Sequence, residues 1–103
     1  MNKTISIDCD GVLHKFSKGW YDGSMYDTAV EGAVHEVNHL IEKGYKIVVC
    51  TARDNLKDVE KWMLDQGFDV SEIKVTNKKP KAIAYIDNRG IRFTNWRDIA
   101  MYF

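Results

Sequence analysis

Two aspartates close the run Ile5-Ser6-Ile7-Asp8-Cys9-Asp10-Gly11-Val12. Residues two apart in an extended segment point to the same side, and Gly11 permits a sharp turn just beyond them. Two carboxylates so close repel each other and raise a pKa unless a cation neutralises them. Magnesium, held by one or two carboxylates together with water and substrate phosphate, is the usual partner for such a pair. Asp and Gly also favour plain turns, so three further residues give the tetrapeptide its weight. Thr51 follows Ile47-Val48-Val49-Cys50 with a hydroxyl and a free backbone amide at a strand end. Lys79 precedes Pro80 and carries an ammonium suited to phosphate oxygens, and Asp87 ends Tyr85-Ile86-Asp87 with a third carboxylate.

The elements that must position these residues are legible in the periodicity. Thr4 to Asp8 reads as a buried strand with Ile5 and Ile7 on one face. Thr28 and Glu31 form a capping box for a helix whose apolar face is Val30, Ala33, Val34, Val37, Leu40 and Ile41, stopped by Gly44. Tyr45 to Cys50 is a strand covered on both faces. A second helix runs from about Asn55 to Gln66, capped by Asp54 or Asn55 and ended by Gly67, with Leu56, Val59 and Met63 inward. Ile73 to Val75 and Ala82 to Asp87 are further strands, and Asn95 to Tyr102 is a closing helix. This alternation predicts an α/β, Rossmann-like three-layer sandwich: a mostly parallel sheet of about four strands with helices on both sides. In such sheets ligands bind at the carboxyl ends of the strands, where strand order reverses. Asp8, Thr51 and Asp87 each fall at such an end.

Bulk properties fit a single domain over residues 1–103, 45% hydrophobic and 29% charged, with 15 Lys plus Arg against 15 Asp plus Glu. No overall field therefore draws the chain to polyanions. No apolar run approaches the roughly 18 residues of a membrane span, and Met1-Asn2-Lys3-Thr4 leads straight into a strand without a signal-peptide pattern. Cys9 and Cys50 fit neither a metal spacing nor a disulfide framework, which predicts reduced thiols and a cytoplasmic protein.

The order and context of these residues resemble the haloacid dehalogenase (HAD) superfamily over nearly the whole chain. Its motifs match Asp8-Cys9-Asp10-Gly11-Val12, then Thr51, Lys79 and Asp87. The resemblance implies a magnesium-dependent phosphatase in which Asp8 attacks phosphorus to form an aspartyl-phosphate and Asp10 serves as general acid and base. It implies magnesium on Asp8, Asp10 through its backbone carbonyl, and Asp87. Thr51 and Lys79 bind phosphate oxygens, joined on the substrate side by Ala52, Arg53 and Asn88. The Lys-Pro context selects Lys79 over Lys78 and Lys81. Two departures stand out. Asn88 replaces the second aspartate common in the last motif, which implies weaker metal affinity. The chain also has no cap domain, only a flap at about residues 12–28. An open site suits a large phosphorylated substrate, a nucleotide or a macromolecule, or completion by a second subunit.

Several other signals have simpler readings. His35-Glu36-Val37-Asn38-His39 matches the zinc-protease H-E-x-x-H, but both histidines fall opposite the apolar helix face and are expected at the surface. Cys9 is expected to point away from its flanking aspartates and to be buried. Arg53, Arg89 and Arg92 suit either a second phosphate or surface ion pairs. Flap residues Trp20, Tyr21 and Tyr26 are expected to pack over the sheet edge, with base stacking as the alternative. Trp62 and Trp96 are assigned to packing. Two competing functions remain: a non-catalytic HAD-like binding module, and a receiver-type phosphoacceptor domain, whose aspartate order this chain does not follow.

Overall fold

Ile5 and Ile7 point to one face of a strand and Ser6 and Asp8 to the other, and this parity organises the molecule. The computed structural model describes residues 2–103. β1 (Thr4–Asp8) lies inside a four-stranded, all-parallel sheet with β2 (Lys46–Cys50), β3 (Ile73–Thr76) and β4 (Ala84–Ile86). The strand order is β3-β2-β1-β4, so the chain steps outward from β1 to β3 and then returns to the far side of β1. Strand order therefore reverses between β1 and β4, with Ser6 opposite Tyr85 and Ile7 opposite Ile86 in register.

The core lies on the Ile5 face. Ile5, Ile7, Ile47 and Val49 cluster with Val37 of α1 (Ala33–Glu42) and with Val59, Trp62 and Met63 of α2 (Leu56–Gln66). Both helices thus serve one face of the sheet, not the two faces that the alternation predicts. Right-handed crossovers require this, because β1, β2 and β3 are added in one direction. Residues 77–83, which carry the chain back to β4, form no helix. α3 (Trp96–Ala100) is capped by Asn95, whose side chain accepts from the Asp98 amide, and it lies almost wholly exposed.

The second helix follows expectation in its bounds: Asn55 stands at the N-cap position, though its side chain makes no cap hydrogen bond, and Gly67, at φ 103°, ends it with its N–H directed to Met63 and Leu64 carbonyls. The first helix does not. It begins at Ala33 after Gly32 (φ 86°), and Thr28 caps nothing. The backbone that a capping box needs is already committed: Lys15 donates to the Thr28 carbonyl, Val30 donates to the Leu13 carbonyl, and the Ala29 amide donates to Gln66 Oε1. These bonds close the neck of the flap and postpone the helix by one turn. No helix among the described residues is long and apolar enough to cross a membrane.

Candidate active site

Asp8 ends β1 on the Ser6 face, away from the core. It borders a cavity of about 450 Å³ with Ser6, Cys50, Lys79, Tyr85, Asp87 and Arg89. This is the place where strand order reverses, the position expected for a ligand in a parallel sheet. The Asp8 carboxylate accepts the Cys9 amide at 2.9 Å. Its pKa is raised above the usual carboxylate range, chiefly by burial and further by the negative charges of Asp10 and Asp87, against the Cys9 hydrogen bond and the Arg89 charge. Asp87 follows β4 and folds back on its own loop, accepting the Arg89 amide at 3.0 Å and the Gly90 amide. A Cβ at Gly90 would lie 2.7 Å from the Asp87 carboxylate and would force it to shift.

Of the three loop lysines, Lys79 borders this cavity, with its ammonium 4.5 Å from the Tyr85 ring centroid. Arg89, beside it, is one of the three arginines that the sequence leaves divided between phosphate binding and surface pairing, and the one of them that borders this cavity. Its charge bears on Asp8.

Asp10 has a different environment. Arg53 is 2% exposed and grips it through Nε to Oδ2 at 2.9 Å and Nη2 to Oδ1 at 3.1 Å. His14, fully buried, places Nδ1 2.9 Å from Asp10 Oδ1. The other ring nitrogen, Nε2, accepts the Asp27 amide at 3.1 Å, so the proton sits on Nδ1 and is donated to Asp10. Arg53 is thus neither a surface ion pair nor free for a second phosphate. Nη1 donates to the Gly23 carbonyl, and the guanidinium lies 4.9 Å from the Trp20 ring, so it ties Asp10 to the flap. His14 was visible to sequence only as a lone flap histidine. Its i, i+4 spacing from Asp10 across a glycine turn was the available signal.

The flap aromatics divide. Tyr26 packs edge-on against His14 at 5.2 Å, and its hydroxyl donates to the Gly19 carbonyl while accepting the Lys18 amide. Trp20 and Tyr21 stay exposed, at 59% and 65%. Trp62 reaches from α2 to the flap neck, where its indole donates to the Asp27 carbonyl at 2.7 Å.

Thr51 departs from expectation in one respect. It is buried and its amide donates to the Thr76 carbonyl at 2.9 Å, so that N–H is not free, and its hydroxyl accepts the Arg53 amide at 3.2 Å. Ala52, next to it, is exposed. Asn88 presses on Gly11, where φ is +85° and a Cβ would meet the Asn88 amide nitrogen at 2.3 Å. Cys9 is fully buried, which pushes its thiol up to about 12. His35 and His39 are exposed and stacked on each other at 6.2 Å.

No family model, curated protein or solved structure matches this chain. Among the described residues no three His, Cys, Asp or Glu side chains form a metal cluster. The Asp10 carboxylate is turned to Arg53 and His14, so it is not free to act as a metal ligand. A two-carboxylate set with Asp8 and Asp87 fits magnesium, which commonly takes one or two carboxylates. Burial is the main reason the Asp8 pKa is raised, and the negative charges of Asp10 and Asp87, which a divalent ion would offset, add to it.

Proposed function

We propose that the chain is a magnesium-dependent phosphomonoester hydrolase of the HAD type, acting through an aspartyl-phosphate on Asp8. The reading rests on one observation: Asp8, Lys79, Asp87 and Arg89 border a single open cavity at the reversal of strand order. Two acids and two cations on one cavity suit a phosphate dianion together with a metal ion. The fold that goes with it is a capless, Rossmann-like sandwich whose third layer is the segment after β4. The free thiols accord with a cytoplasmic setting.

In this mechanism Asp8, Asp87 and the Asp10 carbonyl would hold magnesium, which would offset charge on the phosphate. Asp8 Oδ attacks phosphorus, and the ester oxygen leaves with a proton from Asp10. Asp10 then takes a proton from the water that cleaves the aspartyl-phosphate, which restores Asp8. A carboxyl group has about four lone-pair sites, and Asp10 enters the first step protonated on one of them. Arg53 and His14 occupy the other three, so the fourth holds the proton that passes to the leaving oxygen and is regained from the water. Lys79 and Arg89 bind the non-bridging oxygens, where charge develops. Thr51 orients the Arg53 backbone and stands beside the exposed Ala52.

The test is release of phosphate from p-nitrophenyl phosphate with and without magnesium. Native protein should turn over only with the metal, and Asp8→Asn should lose at least about a thousandfold in kcat. Equal activity in both proteins, or none in either across a panel of phosphomonoesters, sinks the reading.

A further inference from the structure

The formal neutrality of the chain conceals a strong division. Residues 73–103 carry seven Lys and Arg against two Asp, a surplus of five positive charges. Residues 1–72 carry eight against thirteen, a deficit of the same size. All seven cations, from Lys74 to Arg97, are exposed, and none pairs with a carboxylate within 4.0 Å among the described residues. The two acids are occupied locally. Asp87 accepts the Arg89 and Gly90 amides, while Asp98 accepts from Thr94 Oγ1 and the Asn95 side chain. This stretch is therefore a basic surface without internal compensation.

Aromatic rings are interleaved with those charges. Tyr85 lies under Lys79 beside Asp8, Phe93 and Trp96 meet edge-to-face at 5.5 Å, and Tyr102 follows. Trp96 is 75% exposed and Phe93 58%. Rings left in water among unpaired cations have two natural ligand chemistries at once, phosphodiester charge and base faces. Both are supplied together by a nucleic acid whose bases are unstacked.

We propose that the segment from Lys74 to Tyr102 is a binding surface for single-stranded nucleic acid, running to the cavity that holds Asp8. Lys79 and Arg89 belong to both the surface and the cavity, so a strand lying on the segment brings its end to Asp8. A duplex is a poorer fit, because its base faces are hidden from exposed side chains. That the strand carries a terminal phosphomonoester for Asp8 rests on the hydrolase reading; the binding itself does not. A second copy of the chain, presenting its acidic part to this basic one, is the competing occupant.

The experiment is fluorescence anisotropy of a labelled oligothymidylate of about 15 nucleotides without a terminal phosphate, titrated with the full chain over a range of KCl concentrations. Binding should weaken with salt at a slope near −2 to −3 in log K against log salt, roughly three or four neutralised phosphates. The same sequence as a duplex should bind at least about tenfold more weakly. Trp96→Ala and Arg97→Glu, both on the exposed side of α3, should each raise Kd by roughly tenfold while leaving p-nitrophenyl phosphate hydrolysis and the circular dichroism spectrum unchanged. Salt-insensitive binding, or a Kd that neither substitution moves, overturns the proposal. So does sedimentation equilibrium showing a dimer that oligothymidylate does not dissociate. Binding that persists without phosphate release from any end-phosphorylated oligonucleotide upholds the surface and removes only the hydrolase reading. Aryl-phosphate hydrolysis without oligonucleotide binding removes only the surface.

Discussion

Asp8 and Asp10 are two residues apart, yet they occupy opposite electrostatic worlds. On the flap side, Asp10 is one-fifth exposed (21%) and receives three donors from buried Arg53 and His14. On the cavity side, Asp8 receives one backbone amide and faces Asp87, with burial pushing its pKa up. Flap and α2 converge to complete the first environment, whereas the second is left open to a ligand. One carboxylate is held by side-chain donors, and the other is left facing an open cavity. A pair of identical residues thus separates into two environments.

The comparison can be broken most severely from the flap side. Arg53→Met removes the partner of a mostly buried carboxylate and the link to the Gly23 carbonyl, and should cost about 3 kcal/mol of stability in urea unfolding. A loss below about 1 kcal/mol, the value of an exposed pair, would show that the flap side is no more organised than a surface ion pair. The turn between the two sides comes next. Gly11→Ala forces a side chain into a left-handed backbone and against Asn88, and should cost about 2 kcal/mol.

Asp8→Asn should act in the opposite direction. Asp8 has a raised folded pKa, so the fold holds its proton more tightly than the unfolded chain does. Its ionisation therefore lowers stability as pH rises from the unfolded value of about 3.9 through the folded one. Without divalent ions, Asp8→Asn should raise the denaturation midpoint at pH 7, and magnesium should narrow the gap by stabilising only the native protein. A lower midpoint would mean that Asp8 is stabilised as Asp10 is.

The smallest effect concerns the flap neck. The Ser17 hydroxyl, with the Thr28 and Ser17 amides, holds Asp27 down to about 2. A depressed carboxylate contributes stability that is present above the unfolded pKa of about 3.9 and is lost as pH falls through the folded value. Asp27→Asn should therefore flatten the loss of stability between about pH 4 and pH 2, read from thermal midpoints. An unchanged acid limb would leave the flap neck without an electrostatic anchor.

Legibility from sequence followed the range of the interaction involved. The apolar runs of β1 and β2, Gly67 as the end of α2 and the burial of Cys9 are properties of short windows, where local pattern and burial agree. Thr28 and Glu31 offered an equally local signal for a helix start, yet the Thr28 carbonyl went to Lys15 and the helix waited for Gly32. A cap competes with any tertiary partner of the same backbone, and sequence spacing contains no information on which prevails. The amide of Thr51 went to Thr76 for the same reason.

By itself the sequence determined which residues stand at strand ends, because alternation and glycine turns are local consequences of backbone geometry. It also determined that Asp8 and Asp10 would emerge together from β1. What each carboxylate meets was decided only by the tertiary structure. Arg53 lies 43 residues from Asp10, and Gly23, at its other end, lies on a flap pinned by Trp62 and Gln66 of α2. Chain separation of that length is closed by packing, and packing alone assigned one aspartate to the flap and left the other facing the cavity.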